Sequence, residues 1–322
     1  VFPESDRSVD VLRALERFVN KAGVLVRTGH QVTGLIQERM AVHGKEKLIV
    51  PDHDNLAVSN NESNKNLAAP EAEAGRRLIG VATTKGDFYG DAVIIATGGL
   101  SYPATGSTGD GYAWARALGH TVIPPRPGLV PLEVREEWVK EVQGLSLRNV
   151  RVTARAGGGS PPANASKSRL LGEEFGEMLF THFGVSGPVI LSLSSPIAKH
   201  LLVKRDTAKP GAKTKPAAEV TLSINLKPAL SLEQLDQRIQ RDLSLNSRKQ
   251  FRNSLDALLP RALIPVIVEL SQIPGDKFSN QITREERTRL ALLLTELPLT
   301  VTRTRPIEEA IITAGGIAVK EI

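Results

Sequence analysis

The chain has 322 residues, 41% of them apolar and only 4% aromatic, and its 41 basic against 35 acidic side chains leave a net charge of +6. That length accommodates two domains, whose cores must be built from Leu, Ile, Val and Ala rather than from rings. The absence of cysteine excludes disulfides, thiolate metal sites and any cysteine nucleophile or redox pair, so electron transfer here would need a bound cofactor.

In chain order, Val11, Leu12, Leu15, Phe18 and Val19 place one apolar stripe on a helix over residues 8–21, closed by Gly23. Val24 to Arg27 and Val32 to Ile36 read as extended segments, and residues 41–75 as a polar surface excursion containing His43. Leu78 to Thr84, a Lys85-Gly86-Asp87 turn and the apolar run Ala92 to Ala96 predict strand, turn and buried strand. A helix follows from Asp110 to Leu118, and Pro124-Pro125-Arg126-Pro127-Gly128 predicts a crossing between domains.

From Leu132 to Leu226 the pattern changes to short strands (Val150 to Ala154, Met178 to Phe180, Val189 to Leu193, Val220 to Ile224) in what resembles a small β barrel. Ser231 with Gln234, and Thr283 with Glu286, are capping-box pairs ahead of two amphipathic helices. Leu299 to Thr304 is again extended. The basic residues Lys199, Lys204, Arg205, Lys209, Lys213 and Lys215 share one stretch with Asp206 alone and no interleaved aromatics. This is the composition of a solvated loop, so nucleic acid is not the expected partner. No apolar run approaches the roughly 20 residues needed to cross a bilayer, and no signal peptide is visible; the expectation is a cytoplasmic protein without a membrane partner.

The richest segment is Ala96 to Gly111, Ala-Thr-Gly-Gly-Leu-Ser-Tyr-Pro-Ala-Thr-Gly-Ser-Thr-Gly-Asp-Gly. Paired glycines at a strand end let a ligand approach bare backbone, and a second glycine cluster opening a helix offers free N–H groups and a positive dipole end to a phosphate. Together they suggest the pyrophosphate side of a dinucleotide site.

Ala-Thr-Gly-Gly followed by Thr-Gly-Asp-Gly resembles the FAD-binding class of fumarate reductase and succinate dehydrogenase flavoprotein subunits. Further blocks, Val1-Phe2-Pro3, Gly98 to Gly119-His120, Pro127 to Leu132, Phe180 to Pro188 and Thr313 to Ile317, resemble the bacterial YhiN/BaiN-like family of NAD(P)/FAD-dependent oxidoreductases. The resemblance implies an α/β fold in which a partial, Rossmann-like FAD/NAD(P)-binding domain (residues 1–131 and 299–322) is interrupted by an inserted domain, with strands over 132–226 and helices over 231–298. The strand–Gly-x-Gly-x-x-Gly–helix fingerprint of such flavoproteins is not found, so an internal fragment of the family is expected.

It further implies FAD as cofactor, NAD(P)H as electron donor and a small-molecule substrate reduced or oxidised through flavin N5. An RNA-modifying flavoenzyme, or an inactive fragment serving as a binding module, remain as alternatives. The implied cofactor contacts are Val32 through its main chain, Thr97, Gly98, Gly99, Gly109, Asp110, Gly315 and Gly316; Asp110 is equally suited to cap its helix. His182, in Thr181-His182-Phe183-Gly184-Val185-Ser186-Gly187-Pro188, is a candidate proton donor or a structural loop histidine. Arg303 and Arg305 suit either an anionic substrate group or a solvated strand edge. No His, Asp and Glu spacing supports a metal site.

Overall fold

A computed structural model describes residues 3–40, 49–51, 76–157, 168–206 and 219–322. His43, most of the polar excursion and Lys209, Lys213 and Lys215 lie outside the described residues. The chain divides into two units, Val1–Ala96 with Ala113–His120, and Thr97–Tyr112 with Thr121–Ile322.

In the first unit the 3.6-residue stripe forms α1 (Ser8–Lys21), and Gly23 follows it at a φ of 72°. The stripe is unburied: Leu15 is 57% and Phe18 72% exposed. An antiparallel sheet in the order β2-β1-β3-β4 follows, built from β1 (Val32–Met40), β2 (Ile49–Pro51), β3 (Arg76–Thr83) and β4 (Gly86–Tyr89). The β3–β4 hairpin turns at the predicted Lys85-Gly86. Ala92 to Ala96 is not the buried strand that its composition suggests; it pairs with nothing among the described residues, and Ile94 is 90% exposed. An apolar run becomes a strand only where a partner supplies the second half of each ladder. Every pairing between the described strands is antiparallel, so the parallel sheet of a Rossmann-like half is not seen among the described residues.

The second unit holds the barrel that the run of short strands predicts. β6 (Leu132–Val134), β7 (Ser146–Ala156), β8 (Arg169–Thr181), β9 (Gly184–Ser186), β10 (Val220–Asn225) and β11 (Leu297–Thr304) form a closed barrel in the order β10-β11-β6-β9-β8-β7. Strict alternation puts Val152, Ala154, Leu222, Ile224, Leu297 and Leu299 inside, each fully buried, so closure removes the edges and fills the interior at once. The boundary expected at residue 299 therefore falls within β11, whose partners β10 and β6 are both barrel strands.

Val189 to Leu193 belongs to a helix, α3 (Pro188–Asp206), rather than to a strand. A run of five residues is too short for its periodicity to separate the two, and Ile190, Leu193 and Ile197 sit at helical spacing in the core. Pro188 opens the helix, where a missing N–H is harmless. Its buried Ser194 hydroxyl accepts the Val130 N–H at 2.9 Å and donates to Leu191 O at 2.7 Å.

Both capping boxes form, Ser231 with Gln234 ahead of α4 (Leu232–Leu245) and Thr283 with Glu286 ahead of α6 (Arg284–Thr295). α4 buries Leu235, Ile239 and Leu243, α6 buries Leu290, Ala291 and Leu294, and α5 (Ile264–Ser271) completes the group. Arg287 joins α6 to α4 through two hydrogen bonds to the Asp236 carboxylate, 2.7 and 3.1 Å long. Since β10 leads into α4 and α6 into β11, the helices share one apolar core with the barrel. The proline-rich stretch expected to cross between domains is β5 (Val122–Gly128), paired with β12 (Ile312–Ile317) in a two-stranded ribbon. Proline is tolerated there because an edge strand leaves half its N–H groups unpaired.

Candidate nucleotide-binding loop and barrel cleft

Thr97 to Gly109 form a loop that leads into α2 (Asp110–Ala117). Its anchor is Thr313 on β12. The Thr313 hydroxyl accepts the N–H groups of Leu100 at 2.8 Å and Ser101 at 3.1 Å, and lies 3.0 Å from the Ser101 hydroxyl. The Tyr102 N–H donates to Glu308 O at 3.1 Å, which fastens the loop a second time. Tyr102 takes a left-handed φ of 50°, a conformation that non-glycine residues keep only when their surroundings impose it.

Each of Gly98, Gly99 and Gly109 has a close neighbour within the chain. A Cβ at Gly99 would lie 2.4 Å from the Thr313 hydroxyl, one at Gly98 2.5 Å from the Ser107 hydroxyl, and one at Gly109 2.5 Å from Leu100. Gly316 packs against the Tyr112 ring, and Gly315 forms a bulge in β12 where a Cβ would meet Pro124 O at 2.6 Å. The glycines are required because the chain's own Leu100, Ser107, Tyr112 and Thr313 occupy the space that side chains would need. Tyr112 and Thr313 organise the site and were not singled out by the sequence as site residues; the nearest signal was the place of Thr313 within the Thr-Ala-Gly-Gly block.

What suits a phosphate is the donor set. The N–H groups of Gly98, Gly99, Ser107 and Gly109 hold no hydrogen bond among the described residues. Gly99 and Ser107 line a cleft of about 450 Å³ together with Ser101, Tyr102, Thr105, Tyr112 and Ile311 to Thr313. Unbonded loop N–H groups ahead of a helix N-terminus match the needs of an anionic diphosphate. Asp110 is exposed, and its carboxylate accepts from the Thr108 hydroxyl at 2.8 Å. Val32 opens β1 opposite Thr83, in the other unit. His182 stands exposed in the turn between β8 and β9, its ring edge-on to Phe183 at 5.0 Å, and lines neither this cleft nor the one below. Among the described residues no group of three His, Asp or Glu could hold a metal ion, and no helix is long and apolar enough to cross a membrane.

A second cleft, of about 620 Å³, lies beside the barrel and is lined by Pro127, Ala198, Leu201, Pro306, Ile307 and residues 302–305. Glu133 of β6 holds its base. Its carboxylate accepts from Arg303 Nε at 2.7 Å and Arg305 Nη1 at 2.9 Å. Arg305 also donates to Glu309 and stacks 4.7 Å from the Phe183 ring centre. Burial pushes the Glu133 carboxyl up, but the two guanidiniums outweigh it and hold the group below the usual carboxylate range. Glu309 and Glu133 drive Arg305 further above its ordinary value. Arg305 engages each of its three nitrogens with Glu133 or Glu309, whereas Arg303, 72% exposed at its side chain, uses Nε alone among the described residues.

Comparison with known proteins agrees with this architecture. Residues 126–312 match the family description "HI0933-like protein barrel and H2TH domain", which spans the barrel and α3 to α6. The chain is 25% identical over its full 322 residues to a 3-dehydro-bile acid delta(4,6)-reductase of Clostridium scindens, covering 64% of that protein. It is 29% identical over 232 residues to a ribosomal RNA dihydrouridine synthase of Escherichia coli (72% of this chain, 49% of that one) and over 233 residues to that of Haemophilus influenzae (71% and 48%). The chain therefore spans about half to two thirds of the length of these relatives. By the match over more than half its length, this chain belongs to the HI0933-like family, the YhiN/BaiN-like flavoproteins that its sequence blocks resemble.

Proposed function

We propose that the chain carries the pyrophosphate-holding loop and the substrate-covering barrel of an FAD-dependent oxidoreductase, with NAD(P)H as electron donor. The observation that carries this reading is the set of unbonded N–H groups at Gly98, Gly99, Ser107 and Gly109, two of them lining the same cleft. The names of the relatives support the class of reaction: a delta(4,6)-reductase and a dihydrouridine synthase both add hydrogen across an unsaturated bond. FAD, when bound, supplies hydride transfer; the protein supplies binding, orientation and exclusion of water.

In this reading the loop N–H groups hold the diphosphate oxygens, and the α2 N-terminus adds its partial positive charge. Asp110 accepts a hydroxyl of the ribose or ribitol, Thr97 offers a further hydroxyl, and Thr313 fixes the loop. Gly315 and Gly316 keep β12 close to Tyr112 and to the loop. His182, in the turn between β8 and β9, is the proposed proton donor. Titrating FAD into the purified protein, read by quenching of flavin fluorescence, tests the assignment. Asp110→Ala should weaken binding about tenfold, the effect of about 1.4 kcal/mol, because Asp110 is exposed and its loss leaves the fold intact. No binding by the wild type, or equal binding by the variant, overturns it.

A second reading keeps the flavin and places a uridine of RNA in the substrate position. It is favoured by the two synthase relatives, each 29% identical. Binding of a uridine-containing RNA that weakens steeply with salt would support it, and turnover of a neutral small molecule alone would count against it.

A further inference from the structure

We infer that Tyr102 is a binding residue, a stacking platform for a flat heteroaromatic ring joined to a phosphate, in the cleft that Gly99 and Ser107 line. Four positions of the loop take a left-handed φ, and three of them are the glycines 98, 106 and 109. The fourth is Tyr102, at φ 50° and ψ 60°, where glycine would sit without strain. Pro103 follows, and a residue before proline is normally extended, so the ring is carried at a position that disfavours it twice. The loop's own hydrogen bonds do not need the ring. The Tyr102 N–H donates to Glu308 O at 3.1 Å, and its carbonyl accepts the Thr105 N–H at 2.9 Å and the Thr105 hydroxyl at 2.7 Å, all of which glycine would make equally well. Packing does not need it either: the residue is 53% exposed, and its hydroxyl holds no hydrogen bond among the described residues.

What Tyr102 does line is the cleft of about 450 Å³, within the size range of a small-molecule site. Two of the chain's three tyrosines, Tyr102 and Tyr112, line it in a sequence that is only 4% aromatic, and neither ring stacks on another among the described residues. Ile311 and Ile312 supply the rest of its apolar lining, and among the described residues no charged side chain lines it. The unbonded N–H groups of Gly99 and Ser107 are therefore not matched by a carboxylate in the cleft, and they share it with an unstacked ring. Donors for an anion beside an aromatic face are the complement of a heterocycle carrying a phosphate: the ring stacks on Tyr102 and the phosphate oxygens accept from the backbone. Both ends of FAD have that pair, so assigning the cleft to the isoalloxazine or the adenine end rests on the flavin reading above; the stacking role of Tyr102 does not.

Calorimetric titration of the purified chain with FMN, AMP, riboflavin, adenosine and inorganic phosphate separates the ring from the phosphate and one ring from the other. FMN or AMP should bind more tightly than its phosphate-free counterpart, and about tenfold more tightly than inorganic phosphate, the scale of one ring stacked on an aromatic side chain. Asparagine tolerates the left-handed conformation, so Y102N should remove that gain while inorganic phosphate binds as before and the thermal midpoint stays at or above that of the wild type. Y102F, which keeps the ring, should retain the gain. A loss for FMN places the isoalloxazine on Tyr102 and a loss for AMP places the adenine there; either supports the platform. An unchanged gain in Y102N, an equal loss for inorganic phosphate, a lowered midpoint in Y102N, or no binding of FMN and AMP would overturn it. FAD titrated into the same variants separates this role from the cofactor assignment. Equal FAD affinity in the wild type and Y102N refutes the stacking role alone, whereas ring-dependent binding of FMN or AMP with none of FAD refutes the FAD reading alone.

Discussion

Replacing Thr313 by Val keeps the shape of the side chain and removes one oxygen, which makes it a clean probe of the loop's anchor. That oxygen accepts the Leu100 and Ser101 N–H groups at 2.8 and 3.1 Å in a part-buried setting. A net hydrogen bond contributes about 0.5–1.5 kcal/mol, and a buried donor left without a partner costs about 1–3 kcal/mol. Because the loop can reopen to water, the lower figures apply, and the two lost bonds should destabilise the closed loop by about 2 kcal/mol. At about 1.4 kcal/mol per tenfold, that corresponds to amide exchange at Leu100 and Ser101 faster by about 30-fold. Hydrogen exchange followed residue by residue measures this directly, with the barrel amides of β7 and β10 as an internal reference that should not change. Thr313→Ser, which restores the acceptor, should return most of the protection. Equal exchange in the wild type and Thr313→Val would refute the anchoring argument, and with it the claim that Thr313 preorganises the donor set for a cofactor.

Two further expectations concern the barrel and its helices. A Cβ at Gly184 would lie 2.2 Å from Leu132 O across the β6–β9 pair, so Gly184→Ala should cost about 3 kcal/mol or more and lower the urea midpoint of the barrel; a midpoint within error of the wild type would contradict the pairing. Burial raises the Glu286 carboxyl, but Lys277 at 2.7 Å and the Thr283 N–H at 2.8 Å more than offset it and hold the folded-state group below its ordinary value of 4.5. A depressed carboxyl contributes stability that is complete above the unfolded value and is lost as pH falls through the folded one. Stability should therefore be level above pH 5 and decline below about 4.5, and Glu286→Gln should flatten part of that decline while costing about 1–2 kcal/mol at pH 7. Thermal midpoints measured from pH 3 to 8 decide it, and an acid decline unaltered in the variant would exclude Glu286 as a contributor.

Local rules made much of the fold legible. The stripe of α1, the Ser231–Gln234 and Thr283–Glu286 caps, and the alternation in β7 and β10 depend on neighbours within a few residues, so composition and spacing sufficed. The barrel followed from several short apolar segments, of which Val150 to Ala154, Met178 to Phe180 and Val220 to Ile224 lie in barrel strands. The elements not legible were those whose state depends on a distant partner: Val189 to Leu193 lies in a helix packed against the barrel strands, the proline run is a strand because β12 lies opposite, and Ala92 to Ala96 has no strand partner among the described residues.

The sequence by itself determined that this chain is a cysteine-free α and β protein, glycine-rich at residues 98–111, with the blocks of a flavoprotein family. Only the tertiary structure decided what those glycines face, because a residue without a side chain records that something comes close but not what. Here it is Thr313 and Tyr112 that come close, one of them more than 200 positions away. In the same way, two arginines near the C-terminal end acquired distinct roles only when Glu133, a residue with no local signal, was brought beneath both.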